Sequence, residues 1–488
     1  MSSVDAVDIT EANSVAAGTN APMKRIVASG IGGRLMGSKS MYDVTADQIA
    51  KDNLALLLEK DKKAKAKYAS NKHISEQPWT RENWAQHINW LNFVLVFAIP
   101  VMGLLSTFWV TPRIETFALA FILYVFSGLS ITAGYHRLWA HRAYQARLPV
   151  RLFYAFFGAG SVEGSIKWWA HSHRIHHRYT DTVRDPYDAR QGFWYSHMGW
   201  MLTVPNPRYK ARADITDLSD DWVVRAQHRH YLMVMAFSGF LLPSLIAGYF
   251  WGDYLGGFIY GGILKVFFIQ QATFCVNSLA HWIGVQPFDD KRTPRDHFLT
   301  AFVTFGEGYH NFHHEFPSDY RNALKWYQYD PTKHVIYLTS KLGLAYNLKT
   351  FSQNAIEQGL VQQQQKKLDA LRANLNWGIP LSDLPLWDKT QFFEKSKEQK
   401  GLVIISGIVH DVSGFLTEHP GGQALIKTSI GKDATVAFNG GVYAHSNAAH
   451  NVLATMRVAV IRDSGATADT YDRQLEMIAA KKEKEGQA

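Results

Sequence analysis

Cysteine is almost absent from this 488-residue chain: there is one, Cys275, and it lies in an apolar segment. A single thiol excludes an intramolecular disulfide framework, a thiolate zinc site and an iron–sulfur cluster. Metal chemistry here must use histidine. A nicotinamide or flavin fingerprint is missing as well. VASGIGGRLMG resembles one only in part, because Gly30-x-Gly32 is followed by Leu35 where the third glycine should fall, and no strand–helix–strand unit follows. The N-terminus has no compact charged-then-apolar signal segment. With a mean hydropathy of −0.16, the chain is not a membrane protein throughout. Its net charge of +9 comes without a nucleic-acid fold signature. Lys and Arg are spread over loops beside apolar segments, which suits anionic lipid headgroups or a phosphorylated substrate, and no nucleic-acid partner is expected.

Aromatic residues, by contrast, are plentiful, at 13% with 15 Trp, as in proteins with aromatic belts at a membrane interface. Four apolar stretches, 88–109, 117–133, 231–250 and 258–276, each approach the roughly 20 residues that cross about 30 Å of hydrocarbon. Short links, 110–115 and 251–256, join them in pairs. The N-terminal flank and the 136–230 segment hold most of the Lys and Arg, so the positive-inside rule puts both termini and the long middle segment in the cytosol. Lys265, inside the fourth stretch, is expected to snorkel or to face a polar cavity.

The division expected is a largely disordered region 1–75 with one short helix near 46–60, a transmembrane domain 76–345, a helical linker 346–380, a compact domain 381–463 and a charged tail 464–488. The fold class is mainly α. Four transmembrane helices carry a cytosolic helical cap, and a small α+β domain follows.

Histidines carry the chemistry. Trp168 to His177 reads WWAHSHRIHH, which sets His173, His176 and His177 at i, i+3 and i+4, one face of a helix. The spacing recurs at His310, His313 and His314 in GEGYHNFHH. His136 and His141 end the second apolar stretch, and His281 follows the fourth. Three imidazoles crowded on one face point to a transition metal, since neutral imidazole suits iron, zinc and copper. Nine exceed the needs of one ion, which leaves two ions with four or five nitrogens each. Ligand type alone does not separate iron from zinc. His136 and His141 are five apart, about 140° around an ideal helix, and share an ion only if the helix ends or bends between them. Asn277, four residues before His281, is placed to hold a metal-bound water or to make an interhelical hydrogen bond. Glu163, Asp185 and Asp188 are candidates for orienting imidazole N–H groups. His171, His197, His228, His230 and His297 read as bystanders.

In 381–463, His419-Pro420-Gly421-Gly422 follows VHDVSGFLTE, and His445 stands in GVYAHSNAAH. Glycines after a loop histidine let the backbone pass close to a flat macrocycle. Two histidines from opposed helical hairpins would saturate a haem iron, which then carries electrons and does not bind oxygen. His450 is the rival second ligand.

HRLWAH, HSHRIHH, NSLAH and GEGYHNFHH together resemble the histidine boxes of membrane acyl-CoA desaturases, specifically the fungal delta-9 (stearoyl-CoA) type, over about residues 79–329. The resemblance implies a non-haem di-iron centre carried by His136, His141, His173, His176, His177, His281, His310, His313 and His314. Asn277 would contact it through water. It also implies a kinked acyl tunnel with CoA held on the cytosolic face. Arg208, Lys210 and Arg212 are candidates for its phosphates on charge and placement, although His171 stands where animal members carry a basic residue near the CoA. VHDVSGFL, HPGG and a later His-Ser resemble cytochrome b5, implying haem b between His419 and His445. The family's acidic residues beside HPGG are replaced by GGQALIK.

The expected activity joins the two halves. Hydrogen is removed from C9 and then C10 of a saturated acyl-CoA, stearoyl or palmitoyl, giving a cis double bond and water. Dioxygen is the oxidant, and electrons come through the tethered haem from an NADH-cytochrome b5 reductase at the endoplasmic reticulum membrane. Two other readings share the pattern: a fatty-acyl or sterol hydroxylase, and a non-enzymatic membrane haem electron carrier. Front-end desaturases differ in carrying the haem domain N-terminally and Gln where His310 stands.

Overall fold

The structure, a computed structural model, describes residues 51, 54–55, 58–60, 62, 72–441 and 444–462. The chain divides into two compact units, Met1–Trp79 and Thr80–Ala488. The first ends in a short turn, Ile74–Glu76, capped by the His73 ring accepting from Ser75 N. The glycines near residue 30, most of the expected 46–60 helix and the 464–488 tail lie outside the described residues.

Among the described residues of the second unit, three helices are long and apolar enough to cross a membrane: Ile114–Ala140, Tyr231–Trp251 and Tyr254–Trp282. The expected first span is a shorter apolar helix, Trp90–Ser106, about 25 Å long at 1.5 Å per residue. Gly103 lets it lie against the Tyr254–Trp282 helix, since a Cβ there would meet Ile263 at 2.4 Å. The outward sides stay apolar, with Phe117, Phe121, Leu232, Leu245 and Phe250 exposed.

Lys265 neither snorkels nor faces a polar cavity. It is 3% exposed and donates to Gly160 O at 3.0 Å and Gly239 O at 3.3 Å. Pro243, four residues beyond Gly239, has no N–H for that carbonyl, so the ammonium takes its place.

Past the spans, helices form a cap over one main core that includes Ile131, Tyr135, Trp139, Tyr154, Ile166 and Val224. The strand Gln145–Ala146 pairs antiparallel with Ala345–Tyr346 and fastens the end of this region back to its start. The helix Gln353–Ala373 then packs Ile356 into Phe288, Phe312 and Phe316, while Lys366 pairs with Asp290.

The last part is a four-stranded sheet. Leu402–Ile405 pairs antiparallel with Ile408–Asp411, which pairs antiparallel with Arg457–Ile461; Leu386–Trp387 lies parallel on the far side of that strand. The hairpin turn is Ser406-Gly407, at φ 54° and 76°, the left-handed pair that matches the twist of two strands joined by two residues. Alternate residues face opposite sides. Leu402 and Ile404 pack on Phe392, and Val403 and Ile405 pack with Leu416, Ile426 and Phe438.

Candidate functional site

The nine histidines converge, but not box by box. His136, His141, His173, His177 and His313 form one set; His176, His281, His310 and His314 form a second. Within each set the ligand atoms lie within 4.8 Å of one another. In the first, Nε2 of His313 is 3.0 Å from that of His136 and 3.0 Å from that of His177, and His141 and His173 stand 2.8 Å apart. In the second, His310 is 3.1 Å from His281 and from His314, and His176 is 3.3 Å from His314. The sets meet where the His177 and His314 rings stack at 4.1 Å.

The middle box lies on the helix Ile166–Tyr179, started by Ser165, whose hydroxyl accepts from Trp168 N. Its three imidazoles share a face, yet His173 and His177 turn to one set and His176 to the other. The third box, on His310–Glu315, divides the opposite way: His313 joins the first set, and His310 and His314 the second. Asp296 caps that short helix from a distance, accepting from Asn311 N at 2.8 Å and Phe312 N at 3.2 Å.

His136 and His141 meet because the backbone is wound as a π-helix over Ser130–Ala140, with His141 N donating to His136 O five residues back. At about 4.4 residues per turn, residues five apart come nearly into register. Their rings lie 4.7 Å apart.

Three ring orientations are fixed from behind. His136 Nδ1 donates to Glu307 at 3.0 Å, His176 Nδ1 to Asp185 at 2.9 Å, and His281 Nδ1 to the Thr293 hydroxyl at 2.7 Å, which itself donates to Asp181 at 2.6 Å. These partners hold the proton on Nδ1 and turn the Nε2 lone pair inward, the arrangement in which imidazole binds a metal. Burial would push the Glu307 carboxyl up, but Arg137 and His136 beside it hold it at about 2. Burial, then the neighbouring imidazoles, keep His141, His173, His177, His310, His313 and His314 well below the usual histidine range. Neutral nitrogens packed this closely suit a cation between them.

Of the three carboxylates considered from sequence, only Asp185 meets an imidazole. Asp188 pairs with Arg190. Glu163 accepts from Thr273 at 2.9 Å and Trp169 Nε1 at 3.2 Å, and burial pushes it up to about 8. Sequence reasoning missed Glu307 and Thr293. Glu307 had a signal: it sits between two glycines inside the third box. Gly306 takes φ 99°, and a Cβ at Gly308 would fall 2.0 Å from Ala301 N, so the chain passes close only without side chains there. Thr293 has none, since its link to Asp181 spans 112 residues.

A cavity abuts the first set. His136, His173 and Glu307 stand on its wall with Ile131, Ile269, Phe274 and Phe305. Trp169, stacked on His173 at 4.9 Å, forms part of the same wall. Asn277 lines it too, but the helix Lys265–Asn277 ends there, and Ser278, at φ −112° and ψ −71°, breaks the register to His281 that an unbroken helix would give. Arg208, Lys210 and Arg212 are exposed on the segment around the short turn Pro207–Tyr209. His171 is half-exposed beside Lys210 and Arg174. His197 bridges Ser278 and Gln271, His228 bonds Ser165, and His297 caps Phe298–Val303.

In the C-terminal domain His419 and His445 face each other with ring centroids 6.3 Å apart. Metal–imidazole bonds of about 2 Å, with each centroid about 1.1 Å behind its nitrogen, put two axial imidazoles about 6.2 Å apart. His419 Nδ1 donates to Gly422 O at 3.2 Å and His445 Nδ1 to Phe438 O at 3.0 Å, so each Nε2 points away from its carbonyl. His450 is buried against the edge of Phe438.

Comparison with known proteins places both regions in known families. The fatty acid desaturase family model matches residues 114–348, and the cytochrome b5-like heme/steroid binding domain matches 388–462. Acyl-CoA desaturase 1 of Saccharomyces cerevisiae is 65% identical over 466 residues, 94% of this chain and 91% of the relative. A probable acyl-CoA desaturase of Schizosaccharomyces pombe is 56% identical over 391 residues, 80% and 81% of the two chains. The stearoyl-CoA desaturase of Homo sapiens is 36% identical over 272 residues, 55% and 76%. The chain belongs to the fatty acid desaturase family, among the acyl-CoA desaturases with a cytochrome b5-like domain following the desaturase region.

Proposed function

We propose that this membrane protein is an acyl-CoA delta-9 desaturase, placing a cis double bond between C9 and C10 of stearoyl-CoA or palmitoyl-CoA. The observation that carries the reading is the pair of converging imidazole sets, one of which places His136 and His173 on the wall of an otherwise largely apolar cavity.

The nine histidines would hold two iron ions, five nitrogens to one and four to the other, and Asn277 would contact the centre through water. Bound there, di-iron supplies dioxygen activation and hydrogen removal from the acyl chain. Glu307, Asp185 and the Thr293–Asp181 pair orient the imidazoles and keep the proton on Nδ1. Trp169 and Glu163 shape the cavity beside His173, so that position along the chain selects the carbons that react. Arg208, Lys210 and Arg212 are the proposed contacts for the CoA phosphates.

Haem b would lie between His419 and His445 and pass electrons singly from an NADH-cytochrome b5 reductase. The 346–380 linker keeps this donor at high local concentration. We take 76–345 as the desaturase domain and 381–463 as the haem domain. Trp90–Ser106 is proposed as a fourth span, on its packing through Gly103. The charge distribution supports both termini and the site in the cytosol, and likeness to stearoyl-CoA desaturases supports the endoplasmic reticulum as the membrane.

The test is product analysis by mass spectrometry after supplying purified protein with stearoyl-CoA, reductase, NADH and air. The expected product is the cis-9 monoene. A hydroxylated product, or none, rejects the reading.

A further inference from the structure

The turn between the helices Leu148–Ala159 and Ile166–Tyr179 carries Val162 and Glu163 into the cavity wall next to His173. Its backbone is under strain: Val162 has φ 60°, a conformation that a β-branched residue adopts only when its surroundings enforce it. Two side chains of the Tyr254–Trp282 helix do the enforcing. Lys265 donates to Gly160 O, and Gln270 Nε2 donates to Val162 O at 3.1 Å. Both are buried, at 3% and 1% exposure. Tyr231, from a third helix, accepts from Gly164 N at 2.9 Å. Gln270 also lines the cavity, and its Oε1 meets no hydrogen-bond partner among the described residues. An amide kept at such a site with one end unsatisfied is held there by what its other end does.

We propose that Lys265 and Gln270 are positioning residues that clamp the 160–164 turn and so determine which acyl carbons lie at the candidate metal centre. The proposal rests on the desaturase reading above. Neither residue bonds to any of the nine histidines. Their influence runs through Val162 and Glu163, and from Glu163 to Trp169, which stacks on His173. If the turn relaxes, the wall moves, and the chain binds in more than one register.

The test uses the full-length protein in membranes with stearoyl-CoA, palmitoyl-CoA, NADH and reductase, and maps double-bond position by mass spectrometry. Gln270→Leu and Lys265→Met are expected to lower the ratio of C9 to other positional products, and to shift the C16-to-C18 preference, by about tenfold. Lys265→Arg, which keeps a donor, is expected to stay near wild type. Val162→Gly, which relieves the φ strain and loosens the turn, should move the products in the same direction as Gln270→Leu. A purely structural role would reduce total product without altering its distribution. An unchanged positional and chain-length profile in Gln270→Leu therefore overturns the proposal, even if Lys265→Met fails to accumulate. A wild-type protein that makes no monoene at all would instead overturn the desaturase reading.

Discussion

The candidate metal centre and the haem crevice both offer imidazole nitrogens, but they hold them differently. In the first, the residues come from elements far apart in sequence, most are buried, and ring orientation comes from charged or charge-backed side chains: Glu307, Asp185 and Thr293 with Asp181. In the second, His419 and His445 are half-buried, 26 residues apart, and each ring is held by a backbone carbonyl within seven residues. A carboxylate behind an imidazole raises its basicity and strengthens metal binding. A carbonyl sets the ring plane without adding charge. Charged support suits several ligands on a metal ion, and carbonyl support suits a flat group held near a surface.

Breaking each site should separate them. The largest effect is expected from His173→Ala: desaturation and iron content both fall by more than the about 10–100-fold seen when a supporting partner is removed, while the haem absorption spectrum stays. Retained activity would remove His173 from the metal centre. His419→Ala should do the reverse, abolishing the haem spectrum and reductase-driven turnover with iron content unchanged. His450→Ala should keep the haem.

Glu307→Gln tests the charged support alone. It keeps the shape but removes the charge behind His136, and an about 10–100-fold loss of activity or iron affinity is expected. Iron titration of the variant decides it.

The haem domain offers a pH comparison through His410, buried in the strand Ile408–Asp411 and pushed by burial, then by Arg457, down to about 3. Unfolded, the same group takes a proton near 6.5. The folded state therefore forgoes a proton that the unfolded state binds. Stability falls as pH drops from about 6.5 toward 3, each pH unit in that window costing about 1.4 kcal/mol. His410→Leu should flatten this slope, read from the haem spectrum of the full chain during acid titration. An unchanged slope would assign acid sensitivity elsewhere.

The smallest effect is expected at the exposed cations. Replacing Arg208, Lys210 and Arg212 together by Ala should raise KM for acyl-CoA several-fold and leave kcat near wild type, as for screened surface charges.

Much of this was legible in the sequence. H-x-x-H-H repeats, a histidine pair at the end of an apolar stretch and HPGG before a second histidine identify ligand types before any fold is known. Hydrophobic length marked four apolar stretches, and among the described residues three of them form helices long enough to span. Residue identity and spacing along one element decide these things, because they follow from helix periodicity and side-chain chemistry. Spacing could not say which imidazoles share a point in space. On an ideal helix His136 and His141 diverge; π winding over Ser130–Ala140 brings them together. On one helix face His173, His176 and His177 look like one site; packing against His310–Glu315 divides them between two. Glu307 behind His136, Thr293 behind His281 and Lys265 beneath Gly160 belong to the same class. Each depends on distant segments being brought within a hydrogen bond of one another, and that is a property of packing, which only the tertiary structure decides.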